Sequence, residues 1–89
     1  MLLSVVVPAY NASSHISTTL NSLVKQGSPL LEIIVVDDGS TDNTVELTEL
    51  LLAEVPYGNY KVIQKPNGGV SSARNRGLRE ATGSYVYFL

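Results

Sequence analysis

The sequence of 89 residues has no cysteine and a single histidine. The absence of cysteine excludes a disulfide framework and any zinc site built on thiolates. One imidazole cannot form a histidine-based metal cluster. His15 falls in the first turn of a predicted helix, where we expect it to be exposed and without a functional role.

The chain also lacks a strong charge of either sign and a long apolar run. The sequence contains six lysines and arginines and eight aspartates and glutamates, which gives a formal net charge of −2. Nucleic-acid-binding domains usually carry a basic patch or stripe, so no nucleic acid partner is expected. No apolar run approaches the ~18 residues that a membrane-spanning helix needs. The composition, 44% hydrophobic, fits one small globular domain.

The residues that are present alternate between strand and helix patterns. Strands are predicted at 2–7, 31–36, 60–64 and 84–89. The first helix is predicted between an N-cap at Ser13 or Ser14 and a closing Gly27, the second from 43 to about 54, and the third at 70–82. This β-α-β-α-β-α-β order predicts an α/β fold with a three-layer parallel sheet and right-handed crossovers. The third strand is short and polar, which favours a position at the edge of the sheet.

Local signals predict where these elements begin and end. Pro8 should end the first strand because proline donates no ladder hydrogen bond. Asn43, with Glu46 three residues on, resembles a capping box for the second helix. Gly83 is predicted as the C′ residue of the third helix. The predicted inner face of that helix consists of small or medium side chains, namely Val70, Ala73, Gly77 and Ala81.

The strand at 31–36 ends abruptly in two carboxylates, Asp37 and Asp38. Its last four residues, 33–36, are all apolar, and a short apolar run of this kind is typical of a strand buried in a parallel sheet. Such sheets bind ligands beyond the carboxyl ends of their strands. One carboxylate can serve the turn and the next helix, while the other, on the opposite side, can face the crevice. There it could accept hydrogen bonds from a base or a sugar hydroxyl, or bind a divalent cation. The residues alone leave both interpretations open.

Two further loops should lie at the same edge of the sheet. Tyr10 offers an aromatic face on which a nucleobase can stack, although Pro8 and Asn11 would equally suit a plain turn. The Asn-Gly-Gly segment at 67–69 precedes a helix, so it fits either a phosphate cradle or a simple turn. It is not a Walker loop, and no G-x-G-x-x-G follows the first strand.

The third helix carries three arginines. Arg76 and Arg79 fit a solvated face, whereas Arg74 falls close to the inner stripe, followed by Asn75. From there Arg74 could reach over the sheet towards a phosphate or an acid.

Three segments, in this order and spacing, resemble family 2 glycosyltransferases. They are Ser-Val-Val-Val-Pro-Ala-Tyr-Asn at 4–11, the segment 32–42 that ends in Asp-Asp-Gly-Ser-Thr-Asp, and Asn-Gly-Gly-Val-Ser-Ser-Ala-Arg-Asn-Arg-Gly at 67–77. The resemblance runs essentially from end to end. It implies the Rossmann-like half of a GT-A fold, with strand order 3-2-1-4. It also implies inverting transfer of a sugar from a nucleotide-diphosphate donor, UDP-linked, to a carbohydrate or lipid-linked acceptor in cell-surface polysaccharide biosynthesis.

The resemblance also implies roles for individual residues. Tyr10 would pack on the nucleobase, and Asn11 would close that loop. Asp38 would hydrogen-bond a uracil-type base, while Asp37 would support the turn or the ribose. The implied nucleotide-binding residues are Pro8, Tyr10, Asn11, Asp37, Asp38, Gly69, Arg74 and Asn75.

Members of this family continue from such a fourth strand into an Asp-x-Asp motif. That motif holds Mg²⁺ or Mn²⁺ against the diphosphate, whose developing charge needs neutralising, and a later carboxylate activates the acceptor hydroxyl. This sequence stops at Leu89. We therefore expect the N-terminal nucleotide-binding part of a longer enzyme, with no metal ligands or catalytic residues in 1–89 and no activity alone. We expect a cytoplasmic protein whose full-length form can associate with membranes.

Other interpretations stay open at this point. A non-catalytic nucleotide-binding module would share the same motifs. A dinucleotide-binding dehydrogenase domain lacks its glycine fingerprint here, and a phospho-acceptor receiver domain lacks a suitably placed second acid. The apolar strand at 84–89 would lie at a sheet edge, and exposed edges invite pairing, so we also expect self-association through it.

Overall fold

The chain folds into a four-stranded parallel sheet with helices on both faces. We describe residues 3–25, 31–55 and 59–89 of a computed structural model. The strands are β1 (Leu3–Ala9), β2 (Leu31–Asp37), β3 (Asn59–Gln64) and β4 (Tyr85–Phe88), and the helices are α1 (Ile16–Lys25), α2 (Thr44–Leu52) and α3 (Val70–Glu80). The sheet order is β3-β2-β1-β4 and every pairing is parallel. The predicted α/β class, the strand order and the edge position of β3 are confirmed.

The strand β2 lies at the centre of two cores because its side chains alternate between the two faces of the sheet. Ile33 and Val35 join the core beneath α1 and α2, which also contains Ile16, Leu20 and Leu52. Ile34 and Val36 join the smaller core beneath α3. The four residues at 33–36 are buried on both faces of the sheet and are all apolar, which is why this stretch shows no alternation.

The helix α3 packs very close to the sheet. Ala73 and Gly77 are its buried residues. A Cβ atom added at Gly77 would lie 2.3 Å from Cγ1 of Val6, so only glycine fits there. The prediction was wrong for Val70, whose side chain is 53% exposed in the first turn. Ala81 does pack against the core, but its extended backbone places it after the helix.

Pro8 does not end β1, because the strand continues to Ala9 and pairs with β2 throughout. The Val6 carbonyl accepts a hydrogen bond from the Leu89 N–H, so even-numbered residues of β1 direct their backbone groups towards β4. Pro8 faces the same side, but β4 ends at Phe88. The missing donor of Pro8 therefore costs no ladder hydrogen bond.

Two predicted caps are also wrong. Asn43 precedes α2 but makes no side-chain capping hydrogen bond. Instead Oδ1 of Asp42 accepts from the Thr44 N–H. Gly83 is not the C′ residue, because Ala81 follows α3 in an extended conformation. Gly83 is needed for space, since an added Cβ would lie 2.6 Å from Oγ of Ser4.

The amino-terminal end of the sheet is closed by a network around Glu32, whose side chain is buried. Oε1 of Glu32 accepts hydrogen bonds from the Ser4 hydroxyl (2.7 Å) and the Thr82 N–H (2.9 Å), and Oε2 accepts from the Thr82 hydroxyl. The ammonium of Lys61 lies 4.0 Å from Oε2. Burial opposes ionisation of Glu32, but the hydrogen bonds from Thr82 and Ser4 hold its pKa below the ordinary value. The network fixes the connection from α3 to β4.

Some predictions fall outside the described residues, including the helix end at Gly27 and the chain break at 56–58. Among the helices in the described ranges, none is long and apolar enough to cross a membrane.

Candidate functional site

Three loops meet at the carboxyl edge of the sheet, where β1, β2 and β3 end. They are the β1–α1 loop (10–15), the β2–α2 loop (38–43) and the β3–α3 loop (65–69). The central β2–α2 loop is hydrogen-bonded to both of the others. Asp37, Asp38 and Asp42 lie at this edge, so the contacts of each acid decide what the site can do.

Asp37 supports the turn that follows β2. Its carboxylate accepts hydrogen bonds from the Ser40 hydroxyl and the Ser40 N–H. The side chain is buried. This arrangement is an Asx-type turn, in which the acid satisfies backbone and hydroxyl donors of its own loop.

Asp38 binds the neighbouring β3–α3 loop. Oδ1 accepts from the Lys65 ammonium (2.7 Å) and the Gly68 N–H (2.9 Å), and Oδ2 accepts from the Gly69 N–H (2.8 Å). A longer contact of 3.3 Å joins the Asn67 amide nitrogen to Oδ2. The hydrogen bond from Lys65 is the largest cause that holds the Asp38 pKa below its usual value, against the opposing effect of burial. Asp38 is therefore an ionised group surrounded by donors.

The contacts of Asp38 also show what the Asn-Gly-Gly segment at 67–69 binds in this structure. Two of its backbone N–H groups donate to the Asp38 carboxylate, which occupies the position that an anion takes in a phosphate cradle. Gly39 permits this close approach. Its φ is 80°, and a Cβ there would lie 2.8 Å from the Asn67 nitrogen.

Asp42 binds the β1–α1 loop. Oδ2 accepts from the Ser13 N–H at 3.2 Å, and Oδ1 accepts from the Thr44 N–H and hydroxyl. The Thr44 hydroxyl in turn accepts from the Ala12 N–H at 2.8 Å. The hydrogen bond from Thr44 is the largest cause that lowers the Asp42 pKa to about 2.

Some of the residues predicted from the sequence are buried or hydrogen-bonded within the protein, and the others are exposed to solvent. Asp37 and Asp38 are buried, and Gly69 donates to Asp38. Asn11 is exposed, although its side chain makes contacts within the loops. Tyr10 is 53% exposed at the start of the β1–α1 loop, and Pro8 is partly buried. Arg74 and Asn75 are exposed on the first turns of α3. His15 is exposed, as predicted.

Lys65 is part of this site although the sequence analysis did not single it out. The Lys65 side chain is only 12% exposed and forms an ion pair with Asp38. A signal was available, because Lys65 immediately follows β3 and the carboxyl ends of parallel strands share one edge of the sheet. A lysine there had to lie near the acids that follow β2.

A metal ion does not fit the acids of these loops. Within residues 3–25, 31–55 and 59–89, no group of three or more histidine, aspartate or glutamate side chains converges on one point. The oxygens of Asp37, Asp38 and Asp42 already accept hydrogen bonds from protein donors. A divalent cation bound by these acids would have to share or displace those hydrogen bonds.

The chain is similar to known proteins over its whole length. The family model for glycosyl transferase family 2 matches residues 4–89. YibD of Escherichia coli K12, named an uncharacterised glycosyltransferase, is 44% identical over 87 residues, which cover 98% of this chain and 25% of YibD. The TarS poly(ribitol-phosphate) β-N-acetylglucosaminyltransferase of Staphylococcus aureus is 40% identical over 93 residues, covering 100% of this chain and 16% of TarS.

Solved structures agree in fold. TarS 1–349 of S. aureus in complex with UDP-GlcNAc superposes with a TM-score of 0.89 at 40% identity, covering 100% of this chain and 26% of that one. A mannosyltransferase of Pyrobaculum calidifontis in complex with GDP-Man and Mn²⁺ gives a TM-score of 0.87 at 32% identity, covering 94% and 25%. The chain belongs to glycosyltransferase family 2 and has the fold of the N-terminal part of a GT-A glycosyltransferase. It spans a quarter or less of the length of the curated relatives it matches first.

Proposed function

We propose that this chain is the donor-nucleotide-binding part of an inverting glycosyltransferase that uses a UDP-linked sugar. The observation that carries the proposal is the exposed Tyr10 ring beside three loops that are hydrogen-bonded to one another. An exposed aromatic residue on a fixed loop is a stacking platform, and stacking is worth ~1–3 kcal/mol per base. Family membership and the UDP-GlcNAc complex of TarS support this choice of ligand.

In the proposed pose, one set of the predicted residues contacts the base of the donor and another faces its ribose and diphosphate. The base stacks on Tyr10, with Pro8 behind it, and one base N–H donates to Asp38. That N–H would replace the longest contact of Asp38, the 3.3 Å contact from Asn67. Arg74 and Asn75, exposed on α3, would face the ribose and diphosphate side of the donor. Arginine suits this role because its donors match the geometry of phosphate oxygens.

The metal, the acceptor and the catalytic base would belong to the rest of the protein. The described acids do not offer a metal site, whereas the mannosyltransferase of P. calidifontis contains Mn²⁺ with its donor. A divalent cation would supply charge neutralisation at the leaving diphosphate. The acceptor we propose is a carbohydrate or a lipid-linked sugar, as in cell-surface polysaccharide synthesis. This chain alone would bind nucleotide without transferring sugar.

Calorimetric titration tests the proposal. UDP, UDP-GlcNAc, GDP and NAD are titrated into this chain and into the full-length protein, each with and without Mn²⁺. We expect weak UDP binding to the chain that is independent of Mn²⁺, and stronger, Mn²⁺-dependent binding to the full-length protein. Binding of NAD in preference to UDP, or no UDP binding to either protein, would contradict the proposal.

We also propose that isolated copies of this chain associate through β4. This strand is at the edge of the sheet, and its Tyr85 and Tyr87 side chains are 68% and 57% exposed. Unpaired edge groups with apolar side chains favour strand pairing between chains. Sedimentation velocity should show a dimer or larger species that Tyr87→Lys disperses. A monomer at ~100 μM, a concentration at which weak dimers of Kd near 10 μM would be populated, would contradict this proposal.

A further inference from the structure

We infer that Asn11 is a positioning residue that presents Tyr10 to the nucleobase, rather than a ligand of the nucleotide. This inference rests on the proposed function of Tyr10 as the stacking platform. In this inference the Asn11 side chain serves to connect the β1–α1 loop to Thr41 of the β2–α2 loop.

The backbone of Asn11 is in the left-handed region, with φ of 47°, and it is the one non-glycine residue with positive φ in the described part of the chain. This conformation costs most residues ~1–2 kcal/mol, and asparagine tolerates it better than others. Tyr10, the preceding residue, immediately follows β1 and is 53% exposed. A strained conformation next to an exposed aromatic residue points to a functional constraint.

Three hydrogen bonds hold Asn11 in this conformation. Its N–H donates to Oγ of Ser40 at 2.8 Å. Its Oδ1 accepts from the Thr41 N–H at 2.8 Å and from the Thr41 hydroxyl at 3.3 Å. The Ser40 hydroxyl donates onward to Asp37, so the loop is connected through Ser40 to the end of β2.

The residues on both sides of Tyr10 and Asn11 are also fixed. The Ala9 carbonyl accepts from the Asp38 N–H at 2.8 Å. The N–H groups of Ala12 and Ser13 donate to Thr44 and Asp42, respectively. Tyr10 therefore projects from a backbone that is hydrogen-bonded before and after it, while its own ring is half exposed.

The acceptor of the Asn11 side chain is already used. Oδ1 accepts two hydrogen bonds from Thr41, which fill its two lone pairs. A ligand could reach this oxygen only by displacing both Thr41 donors and releasing the loop. These contacts fit a role in which Asn11 fixes Tyr10 before the nucleotide arrives, and such a role would lower the cost of ordering on binding.

Variants of Asn11 test the two features separately. Asn11→Asp keeps an acceptor for Thr41 and tolerates the left-handed backbone. Asn11→Gly keeps the backbone but removes the acceptor, and Asn11→Ala removes both. We expect UDP affinity to fall in the order wild type, Asp, Gly, Ala, with a loss of about tenfold for Ala. Asn21→Ala, on the exposed side of α1, is the matched control and should bind UDP like the wild type.

A double-mutant cycle with Tyr10 separates positioning from a general structural defect. If Asn11 acts through Tyr10, then Asn11→Ala should weaken UDP binding about tenfold in the wild-type background and by less than about twofold in the Tyr10→Ala background. Equal losses in both backgrounds would overturn the inference. Full UDP affinity in Asn11→Gly together with reduced affinity in Asn11→Asp would also overturn the inference, because binding would then not need the side-chain acceptor for Thr41.

A ligand-free measurement keeps this test distinct from the proposed function. Backbone ¹⁵N order parameters at Tyr10 should be near the rigid value of about 0.85 in the wild type and fall towards about 0.6 in Asn11→Ala. A rigid Tyr10 in Asn11→Ala would overturn the inference even if UDP binds as proposed. An absence of UDP binding in the wild type, together with a mobile Tyr10 in Asn11→Ala, would instead contradict only the nucleotide assignment.

Discussion

Glu32 near the start of β2 and Asp38 immediately after its end are two buried carboxylates at opposite ends of the sheet. Each accepts hydrogen bonds from a segment distant in sequence, Asp38 from the β3–α3 loop and Glu32 from the connection between α3 and β4. Each also has a lysine nearby, Lys65 for Asp38 and Lys61 for Glu32. In both cases the carboxylate fixes a loop by satisfying its backbone donors, which would otherwise be costly to bury.

The two ends differ in what surrounds these networks. At the amino end the Glu32 network fixes a chain connection, and none of its residues was implied in ligand binding. At the carboxyl end the network leaves Tyr10, Arg74 and Asn75 exposed next to fixed loops. The same type of buried acid therefore serves stability alone at one end and the presentation of a surface at the other. Four predictions test this difference, from the largest effect to the smallest.

Removing the Glu32 carboxylate should be the most destabilising change. Glu32→Ala leaves the Ser4 hydroxyl and the Thr82 N–H without their acceptor, and a buried unsatisfied donor costs ~1–3 kcal/mol. We expect the free energy of unfolding in urea to fall by about 3 kcal/mol, while the UDP affinity of the folded protein changes less than about twofold. Glu49→Ala, at an exposed position on α2, is the control. If Glu32→Ala reduced the free energy of UDP binding more than the free energy of unfolding, the proposed difference between the amino and carboxyl ends of the sheet would be wrong.

Tyr10→Ala should show the opposite pattern. The half-exposed ring contributes little to the cores, so we expect the free energy of unfolding to change by less than about 0.5 kcal/mol. UDP affinity should fall by about 30-fold, from the ~2 kcal/mol that base stacking contributes. Calorimetry measures the affinity, and Tyr85→Ala, an exposed tyrosine on β4, is the matched control. Equal affinity losses in the two variants would argue against a stacking role specific to Tyr10.

Acid should weaken the carboxyl end through Asp42. Its pKa is lowered from 3.8 to about 2 in the folded chain, so the unfolded state takes up a proton first as the pH falls. The stability contributed by ionised Asp42 is thus complete above pH ~4 and is lost as the pH falls towards 2. Urea unfolding at pH 7, 4 and 2.5 should show a smaller decrease below pH 4 for Asp42→Asn than for the wild type. An identical decrease in both proteins would place the acid sensitivity at Asp38 and Glu32, whose pKa values are also lowered.

Asn43→Ala should have the smallest effect. A working N-cap contributes ~1 kcal/mol, but Asn43 makes no side-chain capping hydrogen bond. We therefore expect a change in the free energy of unfolding of less than about 0.3 kcal/mol. Thr44→Val, which removes the acceptor of the Ala12 N–H, should cost about 1–2 kcal/mol by comparison. A loss of 1 kcal/mol in Asn43→Ala would restore the capping box predicted from sequence.

The sequence predicted the elements well because they depend on local periodicity and composition. The apolar run of β2 and the small residues Ala73 and Gly77 carried enough information for the layers of the sheet. The errors at Pro8 and Gly83 share one cause, since each is a local rule overridden by a segment distant in sequence: the early end of β4 and the approach of Ser4. The error at Asn43 is local, because the neighbouring Asp42 accepts from the Thr44 N–H instead.

The candidate site divides in the same way. The motifs identified Tyr10, Asp37 and Asp38, and their place at the carboxyl ends of strands followed from the parallel sheet. The motifs alone could not assign the partners of each acid. Lys65 pairs with Asp38 from a separation of 27 residues, and Asn11 with Thr41 from 30. Such pairings depend on the register between strands, which no local pattern encodes.

The sequence by itself therefore determined the α/β architecture, the order of the elements and the edge of the sheet at which the polar motifs meet. It did so because burial on both faces requires apolar strands, and because turns and loops follow strand ends. Only the tertiary structure decided that Asp37, Asp38 and Asp42 direct their oxygens to donors of the protein while Tyr10 stays exposed. The physical reason is that the buried carboxylates of Asp37 and Asp38 must be satisfied by whichever donors the packed strands bring within hydrogen-bonding distance. The exposed Asp42 accepts from donors that the same packing places beside it.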